Sequence, residues 1–160
     1  MPQTIRQEIF TKELMDILEE VFETHHGIFL DKGTSLFETL DTISAEEASR
    51  PVSATCASIA AQVAHTTYYL EVLEKLMQWQ VVSGIDWGDI WRRVEAVSAD
   101  EWAAYKQELR STYQRVKQTL ETLDSWDDDR SISGALAIIV HTAYHLGEIR
   151  QAMCTVKQNT

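Results

Sequence analysis

At 160 residues the chain has the length of one ordinary domain, expected over residues 1–160, and can bury most of its apolar surface in a single core. A composition of 44% hydrophobic and 24% charged residues excludes a disordered or membranous chain. Charge is 14 basic against 25 acidic residues, a net −11 without a basic cluster, which is the wrong balance for a surface that neutralises nucleic-acid phosphates. No apolar run reads as a membrane span, and the N-terminus lacks the basic and apolar regions of a signal peptide, so the expectation is a cytoplasmic chain with no membrane partner.

The first predicted element is a helix over 4–24. Its apolar seam runs through Ile5, Ile9, Leu14, Ile17/Leu18 and Val21/Phe22, with Thr4 as N-cap and Gly27 as stop. Glu23 and His26 resemble half of a carboxylate-bridged dimetal pattern, but that pattern needs the unit twice on different helices. Adjacent residues on a helix point about 100° apart, so His25 and His26 cannot both chelate from it. The expectation is a solvated helix end, with lining of a site mouth as the lesser alternative.

From Gly27 to Thr55 the periodicity loosens around an apolar turn at Leu36, Phe37 and Leu40. Ser44 and Glu47 then form a capping-box signature, and Pro51 closes the segment. A second long helix follows, with Ile59, Val63, Thr67, Leu70, Leu73 and Met77 in one seam, expected to run to about Val82 before Ser83-Gly84. Tyr69 lies one turn beyond His65, where its phenol could orient a ligand; packing in the core is the commoner use of such a ring. The next loop carries Trp87 and Trp91 and is expected to wrap the helices, cap a pocket or meet a second subunit.

Ser98 and Glu101 make another capping box before a helix with Trp102, Tyr105, Leu109, Tyr113, Val116, Leu120 and Leu123 at three–four spacing. Asp127-Asp128-Asp129 lacks the spaced oxygens and glycine of a calcium loop. It reads as negative charge ahead of a helix N-terminus, capped by Ser131 or Ser133. The last helix repeats apolar residues at Leu136, Ile139, Val140, Ala143, Leu146, Ile149 and Met153. Four long amphipathic helices without period-two strands predict an all-α four-helix bundle. Connections of roughly thirty, sixteen and six residues do not fix which helices are neighbours.

The chemistry concentrates on the last helix. His141 and His145 are four apart, so their directions differ by about 40°, and Glu148 falls about 20° to the other side of the first. Neutral imidazole is a strong ligand for transition metals, and three protein ligands with one open position is the common catalytic arrangement for zinc. The best third ligand is His65, inside another apolar helix. For an isolated His-x-x-x-His pair the ordinary reading is two hydrogen-bonded core or surface histidines. His65, and Glu148 on the same stripe, shift the balance towards a metal site. Cys56 and Cys154 each lie nine residues from a proposed ligand, about half a turn out of phase, and are expected to be buried, reduced thiols facing away from it.

The ending Tyr144-His145-Leu146-Gly147-Glu148-Ile149-Arg150-Gln151, together with the earlier helix carrying Val63-Ala64-His65, resembles the DinB-like superfamily of metalloenzymes (DinB/YfiT-like), and the resemblance runs through nearly the whole chain. It implies a four-helix bundle, commonly a homodimer, with the His65 helix beside the His141–His145 helix. It also implies one divalent metal on His65, His141 and His145, with zinc or nickel first and iron or manganese next. The family often has glutamine where this chain has Glu148, leaving that carboxylate as a fourth ligand, a catalytic base or a neighbour. Relatives use low-molecular-weight thiols, so the leading expectation is a thiol-dependent, S-transferase-like enzyme acting on a small molecule, with Glu148 as catalytic proton acceptor. Metal-dependent hydrolysis at the same site, and a non-catalytic metal-stapled dimer or binding module, are the alternatives.

Overall fold

The computed structural model describes residues 6–158. Among them are seven helices and no strand, so the all-α expectation holds. Four helices are long: α1 (Gln7–Phe22), α4 (Ile59–Met77), α6 (Ala99–Glu121) and α7 (Asp129–Gln158). Three are single turns or little more: α2 (Leu36–Leu40), α3 (Ala45–Ser49) and α5 (Asp89–Arg93). The α4 helix packs against both α6 and α7, and α1 also meets both. One core results, filled by Leu18, Phe22, Leu70, Leu109, Tyr113, Leu120, Ile138 and Ile149, all fully buried.

Local chemistry explains where the elements begin. Ser35, Ser44 and Ser98 open α2, α3 and α6 as complete capping boxes with Glu38, Glu47 and Glu101. Each box satisfies two orphan backbone donors reciprocally. Ser58 caps α4 by accepting from the Ala61 N–H. At the start of α7 the acceptor is Asp128, whose Oδ1 takes the Ser131 N–H at 2.8 Å. That corrects the expected Ser131 or Ser133 cap: an acidic side chain reaches the first-turn donor earlier in the chain and adds charge to the positive helix end. The expected Thr4 cap of α1 lies outside the described residues.

The α4 helix stops at Met77, several residues before the expected Val82. The Trp79 N–H bonds the Leu76 carbonyl and the Gln80 N–H the Lys75 carbonyl, the paired bonds of a Schellman stop. Trp79 occupies the left-handed position at φ +58°, where glycine is the usual residue. The Arg130 guanidinium, 4.1 Å from its ring centroid, covers it from α7. Sequence rules looked for glycine, and a stacked tryptophan took the position instead.

The loop after α1 has an anchor that periodicity does not announce. Glu20 is fully buried, and its carboxylate accepts from the N–H groups of His26, Gly27, Ile28 and Phe29 at 2.7–3.0 Å. Gly27, at φ +82°, lets the backbone curl round it. Burial pushes the Glu20 carboxyl up, the four backbone donors pull it down, and the donors win, leaving it below its ordinary value.

The α7 helix differs from expectation in two ways. By length and composition it is apolar enough to cross a membrane, although only 44% of its most apolar 18-residue window is buried. In this fold it packs along α4 and α1. Its seam is also narrower than the apolar pattern suggests. Ile139, Leu146 and Ile149 are buried, but Leu136 and Val140 are exposed on the outer face beside Tyr144.

A candidate metal centre between α4 and α7

Three contacts fix how α4 lies on α7. Gln62 meets His145, His65 meets His141, and a Cβ on Gly134 would fall 2.6 Å from Met77 Cγ. Numbers rise along one helix as they fall along the other, so the two run antiparallel. The absent side chain at Gly134 lets their far ends approach closely. At the other end, this register brings His65 from α4 against His141 and His145 from α7.

The three histidines form a cluster whose candidate ligand atoms all lie within 4.8 Å of one another, an arrangement that could hold a metal ion. His65 and His145 are buried and His141 half-buried. His65 Nε2 and His141 Nε2 are 3.2 Å apart. Tetrahedral ligands at zinc–nitrogen distances near 2.0–2.1 Å are separated by about 3.3 Å, so this pair matches one edge of such a polyhedron. The donor set and its spacing fit a divalent transition metal.

The third imidazole is oriented by its neighbours. His145 Nδ1 lies 3.0 Å from Gln62 Oε1 and 3.0 Å from Glu148 Oε2. A carboxylate only accepts, so Nδ1 carries the proton and Nε2 is the free lone pair. A histidine whose second nitrogen is held by a carboxylate or carbonyl is the usual support of a metal ligand. Glu148 is itself fixed by the Tyr144 hydroxyl, which donates to its Oε1 at 2.7 Å. Glu148 therefore meets the cluster through His145, with both carboxylate oxygens occupied.

All three imidazoles are held in the neutral form. Burial lowers His65 to about 4, helped by the nearby His145 and opposed by Glu148. Burial lowers His141 to about 3, with His145 and His65 adding to it. His145 is also lowered by burial, against the pull of Glu148. Neutral imidazole is the form that binds metal, so protons compete only weakly with a metal for these ligands at neutral pH.

Aromatic rings close the cluster. Trp91 on α5 stacks on His65 with centroids 4.3 Å apart, and Trp87 meets the same imidazole edge-on at 6.4 Å. Tyr69 lies flat on His141, centroids 3.5 Å apart and planes within 4°. The tryptophan loop both wraps α4, with Trp87 against Tyr68 and Tyr69, and caps the histidine pocket, two of the roles considered for it. Tyr69 is half-buried and uses its face on a candidate ligand.

A cavity of about 890 Å³ reaches the cluster at His145, between α7 and the segment before α4. Cys56 lines it, and both cysteines are exposed free thiols, against the expectation of burial. The half-turn argument failed for Cys56 because it precedes the first helical residue, Ile59, and so has no helical phase. Cys154 is on α7 but faces a neighbouring surface hollow with Phe29 and Arg150.

His25 and His26 are exposed and lie outside the cluster. His26 Nε2 is 3.5 Å from Glu19, while Glu23 takes the Tyr113 hydroxyl and the Lys117 ammonium. Sequence reasoning missed Gln62. Its signal was present: an amide inside the otherwise apolar run Ile59-Ala60-Ala61-Gln62-Val63-Ala64, three residues before His65. No protein-family model, curated protein or solved structure matches the chain.

Proposed function

We propose that this chain is a divalent-metal protein of the DinB-like type, a four-helix bundle that binds one ion through His65, His141 and His145 and acts as a thiol-dependent, S-transferase-like enzyme on a small molecule. The observation that supports it most is the convergence, from two antiparallel helices, of three neutral imidazoles, one of which, His145, lines a large cavity. Zinc or nickel suits an all-imidazole donor set best, with iron or manganese next. A divalent cation there would lower the pKa of a bound thiol or water and so supply a nucleophile at neutral pH.

The chain's own residues do the rest. Gln62 and Glu148 hold the Nδ1 proton of His145 and keep its Nε2 turned inward. Trp91 and Trp87 cover His65 and limit water on that side. The cavity beside His145 receives the substrate. Glu148 lines that cavity, the place from which it would accept a proton from a molecule bound there. The outer stripe of α7, with Leu136 45%, Val140 66% and Tyr144 61% exposed, is the surface we assign to a homodimer contact.

The test is elemental analysis of protein purified without a metal-affinity tag, followed by turnover assays with several thiols. Close to one ion per chain, lost on replacing His141 and His145 with alanine, is the expected result. Full occupancy in the doubly substituted protein would remove the site. Turnover that proceeds without thiol would replace the transferase reading with hydrolysis.

A further inference from the structure

The cavity beside the histidine cluster has a charge pattern that selects among substrates, and this inference rests on the metal-centre reading above. Its walls are apolar at Val52, Ala57 and Ala152, with an aromatic surface from Trp91, which is 38% exposed. Among the described residues the lining includes no lysine or arginine, and Glu148 is its one acidic side chain. The two arginines that follow Trp91 on α5 are already engaged. Arg92 pairs with Asp86 and Arg93 with Asp89. Glu148 is anchored by Tyr144 and His145, so its charge is held in place at the wall, and its side chain remains 40% exposed.

A volume of about 890 Å³ is far more than a water or a bare thiol group needs, so most of a bound molecule would sit away from the metal, against this wall. A carboxylate or phosphate on that part would find no cation to pair with and a fixed anion nearby. A neutral or ammonium-bearing group would meet apolar surface and an acceptor. We propose that the cavity takes a substrate whose metal-distal portion is uncharged or cationic and partly apolar, and that Glu148 discriminates against anionic molecules there. Specificity by a misplaced like charge is an ordinary device for excluding competitors.

The experiment uses the full chain loaded with cobalt(II), whose visible absorption reports ligands entering its coordination sphere. Three small thiols of differing charge are titrated: cysteamine, mercaptoethanol and mercaptopropionate. Cysteamine and mercaptoethanol should bind roughly tenfold more tightly than mercaptopropionate, the scale of one partly water-screened charge a few ångströms away. The preference should shrink severalfold in Glu148→Gln and reverse in Gln151→Lys, which places a cation on the same wall. Because each thiol is compared with itself across the variants, differences in thiol basicity cancel. A mercaptopropionate-to-cysteamine affinity ratio that is unchanged in both variants overturns the inference while leaving the metal site standing. Cobalt that binds but gives no spectral response to any thiol overturns the inference and the thiol reading together. A chain that takes up no cobalt removes the metal centre itself, and the substrate preference with it.

Discussion

Gln62 Oε1 lies 3.0 Å from His145 Nδ1, linking the second long helix to the last across the floor of the candidate metal centre. The same nitrogen is 3.0 Å from Glu148 Oε2. One N–H thus has two acceptors, one neutral and from the opposite helix, the other a carboxylate from its own. Either alone can fix the tautomer, which makes the support of this ligand redundant.

Redundancy has a measurable signature. Gln62→Leu removes the neutral acceptor and leaves Glu148 in place, so metal affinity should fall by about tenfold, the low end of losses for such supporting residues. Adding Glu148→Ala, which removes the second acceptor as well, should weaken metal binding by more than the two single effects combined. Competition against a chelator of known affinity reads all three variants. Strict additivity would show that the two acceptors act independently.

Glu148→Gln alone separates three roles for the carboxylate. Loss of metal would make it a ligand, and unchanged affinity and turnover would make it a bystander. The expected result is metal affinity within a few-fold of the parent, since Gln62 still holds His145, with turnover largely lost because an amide does not accept a proton at neutral pH. Metal content and thiol-dependent rate in one preparation decide it.

Metal should stabilise the fold without creating it. At a hundred- to thousandfold excess over its dissociation constant the gain is about 3–4 kcal/mol, so chelation should lower Tm by roughly 6–16 °C for a chain of this size. Far-ultraviolet circular dichroism at low temperature should stay unchanged, because the core of Leu18, Phe22, Leu109 and Tyr113 is built away from the histidines. Unfolding on chelation would mark the site as structural.

The metal-free protein should respond to acid through the same residues. His65 and His141 fall to about 4 and about 3 in the fold from an ordinary value of 6.5. The unfolded chain therefore binds more protons between those values, and their stabilising contribution is complete above pH 6.5 and lost progressively as pH falls towards 3–4. Denaturant midpoints of the metal-free protein should decline across that window, and less steeply in His141→Ala. An equal decline in that variant would assign the acid sensitivity elsewhere.

Outside the site, Glu20 anchors the loop after α1 through four backbone donors. Replacing it with glutamine keeps an acceptor but turns an amide N–H₂ towards backbone donors, leaving buried groups unpaired at about 1–3 kcal/mol. The substitution should lower stability at neutral pH. Since the folded carboxyl is held below its ordinary value of 4.5, the Glu20 contribution is present above that pH and lost on acidification. Parent and variant should therefore converge in acid, as denaturation curves at two pH values would record.

Much of this molecule was legible in its order of residues. Capping boxes at Ser44 and Ser98 marked helix starts because the cap is a bond between residues three apart, which needs no tertiary partner. Apolar spacing gave the four long helices for the same reason: a helix repeats locally. His141 and His145 shared a stripe by arithmetic alone. Local rules failed where a distant group intervened. Trp79 could replace glycine at the end of α4 because Arg130, from the far side of the chain, covers its ring. Cys56 escaped a helical phase argument because its helix starts later. That His65 stands 3.2 Å from His141, that Gln62 steadies His145, and that Trp91 roofs the cluster depend on the antiparallel register of α4 on α7 and on where one short helix folds back. Those are set by packing between segments far apart in sequence, where burial of whole faces decides the geometry and no spacing of letters records it.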